Sequence, residues 1–215
     1  LPEGDYAGAE KYVITALELG LGDENNRALA IADLGAVYFH QRRFDKSEVL
    51  LKEALDAVQS NPSIDRKYVP LIRGNLGKTY LENGKFNQAE TALKQSLNEG
   101  IKIFGKISAH AVDVKTNLGI LNFRTGNEKQ AQRDFEDALK LADQTGNPAD
   151  PQRALVLTSL ATLYYKEHKW SLAEKTLLSS LAIAEQSDAT LDSAIARAAR
   201  SGSGVRRARL RTTRM

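Results

Sequence analysis

Four small residues, Gly35, Gly77, Gly119 and Ala161, stand 42 positions apart, each inside the same frame of side chains. Leu34-Gly35-Ala36-Val37-Tyr38 is followed by Phe44, Ser47 and Leu55, and Asn75-Leu76-Gly77-Lys78-Thr79-Tyr80 by Gly84, Phe86, Ala89 and Leu97. Leu118-Gly119 leads to Gly126, Ala131 and Leu139, and Leu160-Ala161-Thr162-Leu163-Tyr164 to Trp170, Ala173 and Leu181. Self-similarity at a fixed period of this size is the mark of a repeat array. In such an array each unit buries its apolar face only against its neighbours.

Within a repeat the pattern predicts a helix, a tight turn and a second helix. Pro70 suits a first helical turn, where a missing N–H costs nothing. Leu71, Leu76, Tyr80 and Leu81 then fall at helical spacing. Asn83-Gly84 stops that helix, with glycine able to take the left-handed C-terminal conformation, and Thr125-Gly126-Asn127 repeats the device. Gln41-Arg42-Arg43 and Glu167-His168-Lys169 lack glycine, so those two turns are expected to be less sharply specified. Phe86, Ala89, Leu93 and Leu97 form one stripe of a second helix. Glycine inside a helix costs about 0.5–1 kcal/mol relative to alanine. Its recurrence therefore predicts close helix–helix approach, with Ser47, Ala89, Ala131 and Ala173 opposite the small residues and with overpacking on Gly35→Leu or Gly77→Leu.

The opening stretch, Tyr6, Ala9 and Leu17, matches Phe44, Ser47 and Leu55, the second half of a repeat, at a shorter offset. It is expected to be the second helix of a truncated repeat, in a fragment of a longer protein or a chain that has lost its first helix. The predicted division is 1–27 for this leading half-repeat, then repeats at 28–69, 70–111, 112–153 and 154–188. A capping helix at 189–200, carrying Leu191, Ala194, Ile195 and Ala198, and a basic flexible tail at 201–215 complete it.

Leu-Gly-x-x-Tyr with an aromatic six residues later, then Ala and Ala/Ser-Leu, resembles the tetratricopeptide repeat. The 42-residue period, and Phe104-Gly105-Lys106 through His110-Ala111-Val112-Asp113-Val114, resemble its kinesin light chain type. In the third repeat Asn122 replaces the tyrosine and Glu128 the aromatic, so looser packing is expected there. The resemblance implies an all-α, right-handed superhelical solenoid of helix-turn-helix repeats. It also implies a non-catalytic protein–protein interaction scaffold that binds a partner peptide or helix in a concave groove lined by the first helices. Projected onto this chain, the groove holds a polar rung of Asp33, Asn75, Asn117 and Ser159. Beside the rung stand apolar positions (Phe39, Leu81, Phe123, Tyr165) and cations (Lys78, Arg124, Lys166). Asparagine donates to and accepts from a peptide backbone at once; the alternative is that Asn75 and Asn117 only solvate or brace their helices. The mixture suits a partner with apolar and some acidic residues. The chaperone-binding subgroup's asparagine slot after the glycine holds Ala36, Lys78, Ile120 and Thr162, which argues against that specificity.

Other chemistries find little support. His40, His110 and His168 lie far apart with no metal-binding spacing, and without cysteine there is no thiol chemistry. Gly77-Lys78-Thr79 matches the end of a phosphate-binding loop, but Ile72 stands where that motif needs glycine and no strand precedes it. No catalytic set, metal or cofactor is expected. No apolar run approaches the ~18 residues that span a membrane, and a cytoplasmic location is expected. The net charge of +3 is unevenly placed: residues 189–215 carry seven arginines and one acid, Asp192, leaving −3 on the rest. The tail can be read as an arm for nucleic acid or anionic lipid, as an appended extension, or as a ligand tethered through Ser201-Gly202-Ser203-Gly204; the latter two are favoured. With no aromatic residue to stack on bases, sequence-specific nucleic-acid recognition is not expected. A structural, oligomer-forming role through the exposed Tyr6/Tyr12/Val13 helix is the second functional reading.

Overall fold

The computed structural model describes residues 6–20, 22–146 and 150–186. All the described secondary structure is helical. One unit, within Leu1–Lys106, holds α1 (Tyr6–Glu18), α2 (Glu24–His40), α3 (Phe44–Ser60), α4 (Tyr68–Glu82) and α5 (Phe86–Phe104). A second, within Ile107–Met215, holds α6 (Ala109–Arg124), α7 (Glu128–Gln144), α8 (Pro151–Lys166) and α9 (Trp170–Gln186). The fold is an all-α helical-repeat solenoid type, each unit built from paired antiparallel helices. The expected capping helix and basic tail lie outside the described residues.

Helix starts follow local chemistry. Asp23, Ser108 and Asp150 cap α2, α6 and α8 by accepting the backbone N–H of Asn26, Ala111 and Gln152 at 2.8, 3.3 and 2.9 Å, which satisfies donors the helix leaves open. Pro151 opens α8 and Pro70 sits in the first turn of α4.

The turns inside the four pairs share one geometry. Gly84 and Gly126 take φ of 73° and 82°, and Arg42 and His168 take φ of 61° and 60° in the same slot. Each turn closes with the same backbone bond: Arg43 N–H to Tyr38 O, Lys85 to Tyr80, Asn127 to Asn122 and Lys169 to Tyr164, at 2.8–2.9 Å. The expectation that the glycine-free turns are less specified is therefore corrected. The flanking helix pair holds the turn closed and imposes a left-handed conformation that a side chain tolerates at about 1–2 kcal/mol.

The small residues mark close approach, but to a different partner than expected. A Cβ on Gly35 would lie 2.8 Å from Leu51 Cγ, on Gly77 2.8 Å from Leu93 Cγ and Cδ2, and on Gly119 2.5 Å from two ring carbons of Phe135. The groups opposite the glycines are these large side chains, one turn beyond Ser47, Ala89 and Ala131. Ser47 turns instead to the following repeat, where its hydroxyl hydrogen-bonds Thr79 Oγ1 at 3.0 Å, fully buried.

Ion pairs repeat with the helices. Glu10 on α1 pairs with Arg43 at 2.9 Å, and Glu48 on α3 pairs with Lys85 at 2.6 Å. Arg43 and Lys85 occupy the same slot of successive turns, so α1 stands to α2 as α3 stands to α4. In the third repeat the missing tyrosine is compensated: Asn122 donates to buried Asp134 at 2.8 Å, and Lys115 reaches Asp134 and Asp137 at 3.5 and 3.0 Å. Phe135, Val112, Ala131, Ala138, Ala142, Val156, Leu160 and Leu163 form one continuous core in the same unit. The looser packing expected there is replaced by a polar substitute with a filled core beside it.

Candidate functional site

The first helices of successive pairs touch within each unit, α2 with α4 and α6 with α8, and the predicted groove residues are distributed over these two pairs. In the first unit Asp33 is exposed on α2 and Asn75 half-buried on α4. Desolvation raises the Asp33 carboxyl above its ordinary value. Phe39 is half-buried, with its ring edge-on to His40 and tilted against Phe44. His40 in turn stacks on Tyr6 of α1, the ring centroids 5.2 Å apart and the planes 7° from parallel. Desolvation first, and then the charge of half-buried Lys78, lower the His40 pKa from its ordinary 6.5.

Leu81 corrects the expected set. It is 1% exposed, because α4 packs against both α3 and α5 and a leucine is too short to emerge where Phe39, Phe123 and Tyr165 do. It belongs to the core. Gly77-Lys78-Thr79 lies mid-helix in α4, with Thr79 buried against Ser47. It therefore offers none of the free helix-start N–H groups that cradle a phosphate.

In the second unit the rung is tied down. Asn117 is 8% exposed and its amide N–H₂ donates to Asp113 O at 2.7 Å and Asp113 Oδ1 at 3.3 Å, bracing its own helix. Ser159 is half-buried and its hydroxyl donates to Leu155 O at 3.0 Å. The expected uniform polar ladder is thus open at Asp33 and Asn75, while Asn117 is closed and Ser159 engaged.

The apolar and cationic positions of this unit fall into two local contacts. Phe123 packs against the core with the Lys166 ammonium 4.9 Å from its ring centroid, and Lys166 also pairs with Glu128 at 2.8 Å. Arg124 is exposed at the end of α6. Tyr165, 47% exposed, meets Trp170, 52% exposed, edge to face at 4.8 Å, and His168 lies 5.1 Å from the indole. Sequence reasoning assigned Trp170 to the repeat frame and missed it as a surface residue. The available signal was size: Trp170 stands where Phe44 and Phe86 are half-buried, and an indole overfills that slot.

Among the described residues no group of three or more His, Asp or Glu side chains could hold a metal ion, and no helix is long and apolar enough to cross a membrane. A tetratricopeptide repeat family model matches residues 26–98 and 110–186, more than half of the chain. Comparison with curated protein sequences gives no match. Among solved structures, the chain is similar to BtubC (BKLC) from P. vanneervenii, with 22% identity and a TM-score of 0.67 over 84% of this chain and 72% of that one. It is similar also to the nearly identical TPR-like repeats of a candidate kinesin light chain from Podosopora anserina (16% identity, TM-score 0.62, 85% and 88% covered). A third likeness is to PlcR of Bacillus thuringiensis, solved with the peptide PapR7 and DNA (12% identity, TM-score 0.75, 86% and 65% covered). These likenesses concern the fold.

Proposed function

The chain belongs to the tetratricopeptide repeat family, whose members are typically non-catalytic protein-interaction scaffolds, and from that premise we propose that it binds a partner peptide or helix along its first-helix faces. The residues of the proposal are Asp33, Phe39, Asn75 and Lys78 in the first unit, and Phe123, Arg124, Ser159, Tyr165 and Lys166 in the second, now joined by Trp170. Repeat boundaries at 28–69, 70–111, 112–153 and 154–188 belong to the same reading, as does the absence of an enzymatic role.

The observation that carries it is the perpendicular pair Tyr165–Trp170, half exposed on each side beside a cation-capped Phe123. Aromatic side chains with one free face and a nearby cation are the usual anchors of protein interfaces, and a carboxylate on the partner can take Lys166 from Glu128. The favoured ligand is therefore an apolar segment flanked by acidic residues. Peptide binding by a structural relative, the PlcR complex, is consistent with this class of partner.

The test starts from a random-peptide display library selected on the full chain. Tyr165→Ala and Trp170→Ala, checked for folding by circular dichroism, should each weaken the selected peptides about tenfold or more. Undiminished binding by both variants and by Asp33→Ala/Asn75→Ala removes the proposal. A second reading is favoured by α1, which buries no residue among those described and leaves Tyr12 78% exposed: association through this edge. Concentration-dependent light scattering that Tyr12→Asp abolishes would support it.

A further inference from the structure

Three of the four helix pairs fill the corner where the start of the first helix meets the end of the second. In the second pair Arg73 of α4 donates to Glu99 and Gln95 of α5 at 2.9 and 3.1 Å. In the third, Lys115 of α6 reaches Asp137 of α7 at 3.0 Å, and Leu141 packs against the core. In the fourth, Leu157 and Ile183 are buried in one apolar cluster. The same slots of the first pair hold Ile31, Glu53 and Ala57. Ile31 brings no cation, Glu53 keeps the acid of Asp137, and Ala57 offers a methyl group where Glu99, Leu141 and Ile183 offer longer side chains.

The corner of the first pair is consequently left open as a depression of about 420 Å³, bounded by α2, α3 and the loop that follows α3. Its lining includes Ala28, Ile31 and Ile64, which are buried, and the half-buried Ala57. The loop that brings Ile64 is held in place at Asn61, whose amide donates to the Glu24 carboxylate of α2 and whose carbonyl accepts the Ser63 N–H at 2.9 Å. Glu24, Arg27 and Glu53 line the depression as well, all three exposed. Two acids against one cation give it a negative balance, and Glu53 meets no cation among the described residues. None of the proposed groove residues lines it.

We propose that this corner takes an arginine side chain from a partner protein, which supplies the cation that α2 lacks. Arg73 displays the mode one repeat further on: its side chain is only 14% exposed, and its guanidinium serves an acid and an amide of the second helix. A partner's arginine lays its methylene stem over Ile31, Ala57 and Ile64, as long cationic side chains do on apolar surface, and presents its guanidinium to Glu53. Arginine suits the corner better than lysine because a guanidinium is more weakly hydrated than an ammonium. Arg27 has the same charge as the incoming group and opposes it. A partner with an acidic residue next to the arginine turns that opposition into a second contact. The corner is a contact additional to the first-helix groove, with the opposite charge preference.

The probe is N-acetylarginine amide, titrated into the isotope-labelled full chain and followed by amide NMR. The amide signals of Ile31, Ala57 and Ile64 should shift together and saturate. Glu53→Gln should weaken that binding about threefold or more, and Arg27→Gln should tighten it. Ala57→Leu, which gives the corner the side chain of the third pair, should abolish it, and Ile31→Arg should do the same by supplying the cation from within. Trp170→Ala should leave the titration unchanged, so this contact and the groove proposal fail separately. The proposal is overturned by undiminished binding in Glu53→Gln, or by undiminished binding in whichever of the two filling variants keeps a folded spectrum. Equal affinity for N-acetylnorleucine amide, which has a comparable stem and no charge, would overturn it as well, because the corner would then be an apolar site only.

Discussion

A single missing Cβ decides how closely the helices of a pair approach. Alanine normally stabilises a helix relative to glycine by about 1 kcal/mol, yet at Gly119 its methyl would sit 2.5 Å from the Phe135 ring. Gly119→Ala should therefore lower stability by about 1–3 kcal/mol, read as a shift in the urea midpoint. Gly35→Ala should cost less, because its nearest atom is Leu51 Cγ at 2.8 Å on a more adaptable side chain. The left-handed turn works the other way: Arg42→Gly releases strain of about 1 kcal/mol and loses only a 5.9 Å contact with Phe44, so the melting temperature should rise. His40 adds a pH dependence. Its folded pKa lies below 6.5, so the unfolded chain binds the extra proton first. Its contribution to stability is complete above pH 6.5 and is lost as pH falls through the folded value. Thermal melts across that range should show the loss, and His40→Gln should flatten it. Leucine, glycine and tyrosine roles were legible in the sequence because they recur. The side chain opposite each glycine was not, since a helix face is set by direction as well as spacing.

Neighbouring helices are tied by acids reaching forward to the next turn. Burial works to raise the Glu48 carboxyl, but hydrogen bonds and charge from Lys52 and Lys85 outweigh it, and the net pKa falls below the ordinary 4.5. The pair's contribution to stability is therefore present above pH 4.5 and disappears as the pH drops through the lowered folded value. In a Glu48→Gln variant the acid limb of the stability profile should be shallower. A double-mutant cycle with Lys85→Met should give a coupling that shrinks in salt. Element existence and order could be read from period and punctuation alone. The tying pairs could not, because Glu10, Glu48, Arg43 and Lys85 look like ordinary solvated charges until the helices are stacked. The polar rung was only half legible for a related reason: whether an asparagine faces a ligand or its own Asp113 depends on local rotamers, which no spacing encodes.

At the scale of the whole molecule, charge is divided between an acidic body and an arginine-rich end: +6 in residues 189–215 against −3 elsewhere. Removing residues 201–215 takes away five arginines. If these form an anion-binding arm, salt-dependent retention on heparin or on anionic vesicles should drop sharply; equal retention would leave the arm without a role. Stability should also be additive by neighbour, as in other quasi-one-dimensional arrays. Hydrogen exchange in Gly119→Ala should then quicken through α6 to α9 and fade in α1 to α3. The exchange of a tyrosine for Asn122 has one more consequence. Asn122 donates to Asp134 on the partner helix, so α6 and α7 are matched to one another as a couple. A designer who splices α6 into another repeat would leave a half-buried amide without this acceptor. The smallest exchangeable cassette of this protein should therefore be a matched pair of helices.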